Sequence, residues 1–257
     1  MMHTGTTLQM PQGFTYCDIA GKRVLVTGGT TGIGRSIARM LAQAGAQVLI
    51  FGRHEKELND ALQQANEGTG KELVKGFIAD AGNAAGIATV FAKVDQELGG
   101  LDVLINNVGL PFQGVDKGSY EEWDYVIKTN LLSYMACTHE AMARFKDRAQ
   151  LIFIGSMSAE VKDKNSSVYT ATKAGIRAFV QALRKEVEDK PVKVSLVEPG
   201  LVSTDLHEMP EEKRTQMLEE GTIIHGEDIA LMVWFILTQP WYVNTMMSQV
   251  LPLNQKL

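Results

Sequence analysis

The chain has 257 residues, a net charge of −5 and an apolar fraction of 45 %, the balance of one ordinary globular domain with a sizeable core. The lack of a basic excess argues against nucleic acid as a partner, and the longest apolar run, at 229–237, is too short to span a membrane. Both cysteines stand outside any metal-ligand pattern and the histidines are scattered, so we expect no metal site and infer a reducing, cytoplasmic location.

The first predicted strand, at residues 23–27, runs directly into a glycine-rich turn at 28–34, and a helical pattern follows. A strand, a glycine turn and a helix in this order direct backbone N–H groups and a helix N-terminus at a phosphate. A flexible βα loop is the alternative, but the second strand that follows favours cofactor binding. The residues predicted to bind a cofactor here are Gly28, Thr30, Thr31, Gly32, Ile33 and Gly34.

The second predicted strand, at 47–51, ends close to Arg53, and no acidic residue occurs there before Glu55. In dinucleotide-binding folds an acid at this point holds the adenosine 2′-hydroxyl, whereas an Arg accepts a 2′-phosphate through two hydrogen bonds. Arg53 therefore predicts NADP(H) in preference to NAD(H). A solvated charge at the start of the next helix, at 55–67, is the alternative for Arg53.

Polar residues also follow the third and fourth predicted strands, at 73–78 and 101–105. Asp80 is placed to accept a hydrogen bond from the adenine amino group, with the N-cap of a helix at 83–98 as the alternative. Asn side chains at the end of the fourth strand can tie neighbouring strands together and line a cofactor cleft. The residues assigned to cofactor binding after this strand are Asn107 and Gly109.

A capping box at residues 119–122 opens a long predicted helix that extends to about residue 146. Asn is a mediocre helix former, yet Asn130 lies on the same predicted face as the apolar residues, so we expect it to be buried and hydrogen-bonded. A surface amide is the alternative. The residues expected to face inward are Trp123, Val126, Ile127 and Leu131.

The helix predicted at 167–189 carries Tyr169 and Lys173 one turn apart on one face, and Ser156 follows the fifth predicted strand, at 150–154. A phenol ordinarily loses its proton near pH ~10. A cation about 4 Å away, at an effective dielectric of roughly 20, interacts by about 4 kcal/mol, enough to lower the Tyr169 pKa by about three units. This pair therefore predicts a general acid/base near neutral pH, with a chance surface pair as the alternative.

The sixth predicted strand, at 192–197, precedes Pro199 and Gly200, and residues 201–225 contain turn residues without a strand pattern. Their position suggests a mobile flap over the substrate. The apolar helix at 229–237 is expected to be buried or to form an interface, and a last strand is predicted at 245–252. Glu160 and Lys162 lie near the expected pocket, where they could meet a polar substrate or simply be solvated.

The repeated βα pattern with Val- and Ile-rich strands predicts an α/β fold of the Rossmann type. We expect a doubly wound parallel sheet of about seven strands in the order 3-2-1-4-5-6-7, with helices on both faces. Residues 1–257 are predicted to form a single domain, with residues 1–18 as a loose N-terminal tail. Every candidate functional group follows the C-terminal end of a strand or begins a helix, where ligands bind in such sheets.

Taken together, these residues resemble the short-chain dehydrogenase/reductase family over nearly the full chain. Val108 stands where the family usually has Ala, and Thr31 stands where NADP-preferring members often have a basic residue, so Arg53 alone carries the NADP prediction. The C-terminal region is similar to the branch that oxidises 3-hydroxy acids and serine. The matching residues are Thr27, Gly28, Gly32, Ile33, Gly34, Asn106, Asn107, Val108, Gly109, Asn130, Ser156, Tyr169, Lys173, Pro199, Gly200 and Thr204.

The resemblance implies an NAD(P)-dependent oxidoreductase that moves a hydride directly between nicotinamide and a carbonyl carbon. It implies that Tyr169 is the acid/base, that Lys173 lowers its pKa and binds the nicotinamide ribose, and that Ser156 holds the substrate oxygen. Asn130 would position a water in a proton relay, and Thr204 would hold the carboxamide. Further cofactor-binding residues implied by the resemblance are Pro199, Gly200 and Val202.

Two other functions stay open at this stage. One is an NAD-linked dehydrogenase of a hydroxy acid or sugar, and the other is a nucleotide-sensing regulator without turnover. Such regulators typically lose the Tyr or the Lys, and both are present here. The partner is expected to be a small carbonyl or alcohol substrate. A homotetramer or homodimer is expected from the resemblance, with the small-residue face of 167–189, the apolar helix and the last strand as contacts.

Overall fold

The fold is built around a parallel sheet, which a computed structural model describes within residues 15–68, 70–162, 164–204 and 210–255. The strands are β1 (Arg23–Val26), β2 (Gln47–Gly52), β3 (Val74–Ile78), β4 (Val103–Asn106), β5 (Ala149–Ile154), β6 (Val192–Pro199), β7 (Val202–Ser203), β8 (Ile224–His225) and β9 (Met247–Val250). Seven of them pair in the order β3-β2-β1-β4-β5-β6-β9, all in parallel. The predicted fold class and strand order are confirmed, with the last strand in the seventh place.

Helices cover both faces of this sheet. They are α1 (Gly32–Gln43), α2 (Glu55–Asn66), α3 (Ala84–Leu98), α4 (Tyr120–Ile127), α5 (Ser133–Met142), α6 (Ser158–Val161), α7 (Ser167–Glu186), α8 (Glu211–Glu219) and α9 (Gly226–Thr238). Because successive side chains of a strand point to opposite faces, Val24 and Val26 pack in the core beneath α1, α2 and α9. Leu25 packs in the second core, beneath α3, α5 and α7.

The long helix predicted to end near residue 146 is interrupted and ends at Met142. A π-helical segment, Lys128–Leu132, separates α4 from α5. The wider π turn shifts the helical phase, so a face assigned with a regular period is wrong there. Asn130, within this segment, is fully buried at 0 %. Ile127, predicted to face inward, lies before the segment in the last turn of α4 and is 46 % exposed, because α4 turns Val126 to the core instead.

The segment predicted as a flap without strands, 201–225, contains regular structure. Strands β7 and β8 pair with each other in parallel, outside the main sheet, and α8 lies between them in the chain. The prediction failed because two-residue strands carry no readable alternation. Residues 205–209 of this segment lie outside the described residues.

The N-terminal segment and helix α9 differ in part from their predictions. Of the predicted loose tail, residues 1–14 lie outside the described residues, and the backbone N–H of Cys17 already donates to the Thr238 carbonyl at 2.9 Å. Helix α9 buries Ile229 and Val233, but its other side is exposed. Exposed apolar side chains of α9 are Leu231, Trp234 and Phe235.

No described helix is long and apolar enough to cross a membrane. Within the same part of the chain, no three His, Cys, Asp or Glu side chains come together as a group that could hold a metal ion.

Candidate active site

A cavity of about 660 Å³ opens at the C-terminal edge of the sheet, where the strand order reverses between β1 and β4. This is the place where doubly wound sheets bind their ligands. Residues that follow β1, β2 and β3 line one half of the cavity, and residues that follow β4, β5 and β6 line the other half. The sheet order therefore brings the predicted cofactor turn and the predicted catalytic residues to one cleft.

The glycine turn after β1 is folded around close backbone approaches. Gly28 has a φ of +63°, and a Cβ on it would lie 2.9 Å from the Val108 Cα. A Cβ on Gly34 would collide with the Gly28 carbonyl oxygen and lie 2.5 Å from the Asn107 Nδ2. The N-cap residue Thr31 makes no side-chain cap hydrogen bond, and Gly32 and Ile33 of the first turn of α1 line the cavity, so the dipole of this helix end suits an anionic group of a ligand.

Asn107 holds this turn from the neighbouring strand. Its Nδ2 donates to the backbone carbonyls of Thr27 and Gly28, both at 3.0 Å. The Thr27 hydroxyl in turn accepts the N–H groups of Asn107, at 2.8 Å, and Val108, at 3.0 Å. The structure thus shows the tie between strands that the sequence predicted, while the contact of Asn107 with a cofactor stays a prediction.

Arg53 lies at the far end of the cavity, connected to Asp80 through Tyr125. Arg53 Nη1 donates to the Tyr125 hydroxyl at 2.8 Å, and the guanidinium lies 5.8 Å from the centre of the Tyr125 ring. The Tyr125 hydroxyl contacts both Asp80 carboxylate oxygens, at 3.1 and 3.2 Å. Sequence analysis missed Tyr125, because nothing in its helical position distinguishes it from a surface residue.

The alternative role considered for Asp80 is wrong. Asn83 caps α3, since its side chain accepts the Gly86 N–H at 2.8 Å. Asp80 instead accepts the Gly82 N–H at 2.9 Å and borders the cavity. The Asn83 amide and the Tyr125 hydroxyl also contact its carboxylate, and the adenine contact stays a prediction.

Lys173 forms the floor of the other half of the cavity. The residue is 4 % exposed, its Nζ donates to the Ile154 carbonyl at 3.2 Å, and Nζ lies 5.6 Å from the centre of the Tyr169 ring. Burial disfavours the charged ammonium and lowers the pKa of Lys173 to about 8. The surface-pair alternative for Tyr169 and Lys173 is excluded, because both line the cavity.

Tyr169 differs from its prediction in one respect. Burial raises the pKa of its phenol, and a hydrogen bond with Ser156 opposes that effect without reversing it. The predicted lowering by Lys173 is therefore wrong for the protein alone, in which Nζ is directed to Ile154. Ser156 Oγ also lies 3.2 Å from the Ser158 Oγ and accepts the Ser158 N–H at 3.1 Å, a contact that sequence analysis missed.

Asn130 supports the cleft from behind. Its Oδ1 accepts the Leu110 N–H at 2.7 Å, and its Nδ2 donates to the Leu110 carbonyl at 2.8 Å. The prediction that Asn130 is buried and bonded is confirmed, and the surface-amide alternative is wrong. Because its amide is engaged by the loop after β4, its predicted role is positional here, and the relay water stays a prediction.

The end of β6 is held by a residue from the C-terminal segment. Gln255 Oε1 accepts the Leu201 N–H at 2.9 Å, and a Cβ on Gly200 would collide with the same oxygen. Sequence analysis missed Gln255, since no local pattern marks a contact with a residue so far away in the chain. Opposite, a Cβ on Gly32 would lie 3.1 Å from the Thr204 Cβ, so the glycine turn and the β6 end meet closely.

Most of the residues predicted from the sequence line this one cavity. Gly34 and Asn130 are the exceptions, and both act behind the wall. The predicted residues that line the cavity are Gly28, Thr30, Thr31, Gly32, Ile33, Arg53, Asp80, Asn107, Gly109, Ser156, Tyr169, Lys173, Pro199, Gly200, Val202 and Thr204. Other lining residues, among them His54, Glu57 and Met157, were not predicted as binding residues.

Comparison with known proteins decides the family. The family description "short chain dehydrogenase" matches residues 22–215. The chain belongs to the short-chain dehydrogenase family. An NADP-dependent 3-hydroxy acid dehydrogenase, YdfG of Salmonella typhi, is 32 % identical over 242 residues, which cover 90 % of this chain and 95 % of that protein.

Two further members of the family support the assignment. An uncharacterized oxidoreductase of Staphylococcus aureus is 31 % identical over 229 residues, covering 88 % of this chain and 95 % of that protein. The crystal structure of a short chain dehydrogenase from Burkholderia cenocepacia in complex with NADP has a TM-score of 0.80 and 25 % identity, covering 91 % of this chain and 98 % of that chain. The protein is thus an oxidoreductase of the short-chain dehydrogenase family that acts on CH–OH donors.

Proposed function

We propose that this short-chain dehydrogenase is linked to NADP(H) and interconverts a carbonyl compound and a secondary alcohol. The observation that carries the proposal is one cavity whose wall holds Ser156, Tyr169 and Lys173 at one end and Arg53 at the other. An acid/base group next to a dinucleotide cleft suits hydride transfer, in which the protein contributes placement and electrostatics.

The residues of the cleft fit a dinucleotide. The glycine turn leaves no room for a Cβ at Gly34, and Gly32 and Ile33 at the N-terminus of α1 line the same cavity. We assign Arg53, which lines the cavity, to a 2′-phosphate, and the NADP named for the Salmonella and Burkholderia relatives supports this assignment. When bound, the cofactor supplies or accepts the hydride.

In the reducing direction Tyr169 is the general acid. Its phenol is protonated at neutral pH and donates that proton to the substrate oxygen as negative charge develops there; burial, which raises the pKa of the phenol, opposes this step. The carbonyl carbon accepts the hydride, the π electron pair moves to oxygen, and the Tyr169 proton completes the alcohol. Ser156 holds the same oxygen, and Lys173 places positive charge beneath it. Asn130 keeps the loop at Leu110 in position over Lys173 and is proposed to order a relay water.

A second candidate function is favoured by one observation. The Salmonella relative is named a 3-hydroxy acid dehydrogenase, which supports the hydroxy-acid substrate of the alternative, an NAD-linked dehydrogenase of a hydroxy acid or sugar, although that relative is named NADP-dependent. A nucleotide-sensing regulator without turnover is the third, and the intact Ser156, Tyr169 and Lys173 argue against it.

Titration with NADPH and NADH, followed by fluorescence, tests the cofactor proposal. We expect tight NADPH and weak NADH binding, and Arg53→Ala should weaken NADPH far more than NADH. Equal losses would remove the phosphate role of Arg53, and binding of neither cofactor would overturn the proposed function. A screen of carbonyl compounds with the preferred cofactor then tests turnover.

We also infer a homo-oligomer, a tetramer or dimer, in the cytoplasm. The exposed Leu231, Trp234 and Phe235 of α9 and the exposed edge at Met247 on β9 support an interface between copies. The two cysteines are free thiols, which suits a reducing compartment. Light scattering after gel filtration should give an oligomer for the wild type and a smaller species for Trp234→Glu. A monomeric wild type would overturn the inference.

A further inference from the structure

The two halves of the cavity differ in chemistry. Charged and polar side chains line the half that follows β1, β2 and β3. They are Thr30, Thr31, Arg53, His54, Glu57 and Asp80. The half that follows β4, β5 and β6 has an apolar wall around Ser156 and Tyr169. Its apolar side chains are Leu110, Pro111, Phe112, Met157, Val161 and Leu201.

We name the half that follows β4, β5 and β6 the substrate half. Its charged group is the Lys173 ammonium at the floor of the cavity. Among the described residues that line it, Lys173 alone has a charged side chain. Its Nζ is buried, donates to the Ile154 carbonyl and lies 5.6 Å from the centre of the Tyr169 ring. A cation in this position serves the carbonyl oxygen at Tyr169 and not a second anionic group.

Lys162, next to Val161 of the wall in the chain, and Arg177, two turns beyond Tyr169 on α7, are both engaged by the protein. Lys162 Nζ donates to the Glu160 carbonyl at 3.0 Å. Arg177 donates to both carboxylate oxygens of Glu198, at 2.8 and 2.7 Å, and to the Glu160 carboxylate. Neither cation lines the cavity. Glu160 does not line the cavity either, so the wall has no charged side chain among the residues that the structure describes.

A substrate carboxylate placed against this wall would lose its hydration and meet no cation among the described residues of the wall; Ser158 and Gln255, polar side chains that also line this half, are neutral. Burial of an ionised carboxylate without a partner is strongly unfavourable, whereas an apolar substituent gains from the same burial. Met157, which is 4 % exposed, adds a flexible thioether that adapts to different apolar shapes. The wall therefore selects by charge more than by shape.

We propose that the substrate half takes an uncharged carbonyl compound with an apolar substituent, and the corresponding alcohol, in preference to one that carries a carboxylate. This inference rests on the proposed function and narrows its substrate class. It separates this chain from an enzyme built for 3-hydroxy acids, although a relative at 32 % identity bears that name. A difference in pocket wall at this level of identity is compatible with a shared fold and shared acid/base residues.

Three matched 3-oxo compounds test the proposal. Ethyl 3-oxobutanoate is neutral and apolar, 3-oxobutanamide is neutral and nearly the size of the acid, and 3-oxobutanoate is anionic. Calorimetric binding is measured to the Tyr169→Phe protein saturated with NADPH, in which turnover is expected to be too slow to disturb the titration. We expect the order ester, amide, acid, with the acid at least roughly tenfold weaker than the amide. Equal or tighter binding of the acid, or no binding of the ester at millimolar concentration, overturns the proposal.

Turnover by the wild type separates this inference from the function on which it rests. Reduction of the ester with NADPH, with kcat/KM above that for the acid, is expected. Turnover of all three with the acid preferred overturns the substrate class and leaves the proposed function intact. If none of the three compounds and no compound of a wider carbonyl screen is turned over, the proposed function is overturned. The order of affinities measured by calorimetry still decides the substrate class in that case.

A cation added to the wall gives the converse test. Val161→Lys places an ammonium among the apolar residues, and Val161→Gln is a long neutral control. The Lys variant should improve the affinity for 3-oxobutanoate relative to the amide by roughly tenfold, and the Gln variant should leave that ratio unchanged. An unchanged ratio in Val161→Lys would overturn the assignment of this wall to the substrate.

Discussion

Arg177 donates two parallel hydrogen bonds to the carboxylate of Glu198, from Nε to Oε1 at 2.8 Å and from Nη2 to Oε2 at 2.7 Å. Glu198 is fully buried at the end of β6, and Arg177 lies one turn beyond Lys173 on α7. A third bond joins Arg177 to Glu160 on α6. One guanidinium thus joins three segments that border the active site.

Arg177→Met should destabilise the protein strongly. The substitution leaves the buried Glu198 carboxylate without its counter-ion, and breaking such a pair costs about 3–5 kcal/mol. Urea unfolding at neutral pH measures the change. Adding Glu198→Gln to Arg177→Met should recover part of the loss, because the uncompensated charge is removed. A double variant no more stable than Arg177→Met would contradict this explanation. Glu160→Gln, at the exposed arm, should change stability little.

Tyr125→Phe should reduce the preference for NADPH. The Phe ring keeps the stacking contact with Arg53 but lacks the hydroxyl that accepts the Arg53 hydrogen bond at 2.8 Å. Without this bond the guanidinium is less ordered in the free protein, so it loses more conformational entropy when it binds a phosphate. We expect NADPH affinity to fall by roughly threefold to tenfold with NADH nearly unchanged, less than for Arg53→Ala. Fluorescence titration checks both cofactors, and an equal loss for the two would show that Tyr125 does not act through Arg53.

Tyr169→Phe should lower kcat by roughly 10²–10⁴, the usual contribution of a positioned acid/base. The phenyl ring preserves packing in the cavity, so affinity for NADPH should stay within a few-fold of wild type. Stopped-flow single turnovers and fluorescence titration measure the two effects. Ser158→Ala, which removes a partner of Ser156 but no reacting group, is the milder comparison. An unchanged rate in Tyr169→Phe would exclude the assigned mechanism.

Burial of Lys173 should make stability rise with pH above about 8. Its pKa in the folded protein is about 8, against an ordinary value of 10.5, so between these values the unfolded chain binds more protons than the native protein. Stability then increases with pH across that window, by about 1.4 kcal/mol per unit of pKa difference at most. The raised pKa of Tyr169 acts oppositely, but only above pH 10.0.

Urea unfolding at several pH values from 7 to 9.5 measures this dependence. Lys173→Met lacks the titrating group, so the difference in unfolding free energy between wild type and variant should grow in favour of the wild type as pH rises. Parallel curves for the two proteins would show that the pKa of Lys173 is not lowered in the folded protein.

Local sequence patterns were sufficient to predict the strands of the sheet and the cavity residues that follow the strand ends. The β-branched runs at β1 and β2 and the glycine turn between them predict strand, loop and helix without further information. Parallel order then brings Ser156 and Tyr169 to the same edge as Arg53, since all follow the carboxyl ends of strands. This is why a large part of the cavity wall was predictable.

The features that were missed depend on contacts between distant residues. Gln255 reaches Leu201, and Tyr125 joins Arg53 to Asp80, through side chains whose neighbours no periodicity reveals. The direction of the Tyr169 pKa depends on its burial, which a helical spacing does not give. The π segment changes the phase of a helix that the sequence shows only as regular.

That π segment has a consequence for how this region can evolve or be engineered. The turn at Lys128–Leu132 accommodates a residue more than a regular helix would, and α5 follows in a shifted phase that buries Tyr134 and Cys137. Deletion of a single residue would restore the regular period but rotate Asn130 away from Leu110. The segment is therefore constrained in its length more than in its composition, and insertions or deletions there should be tolerated far less than substitutions at its exposed positions.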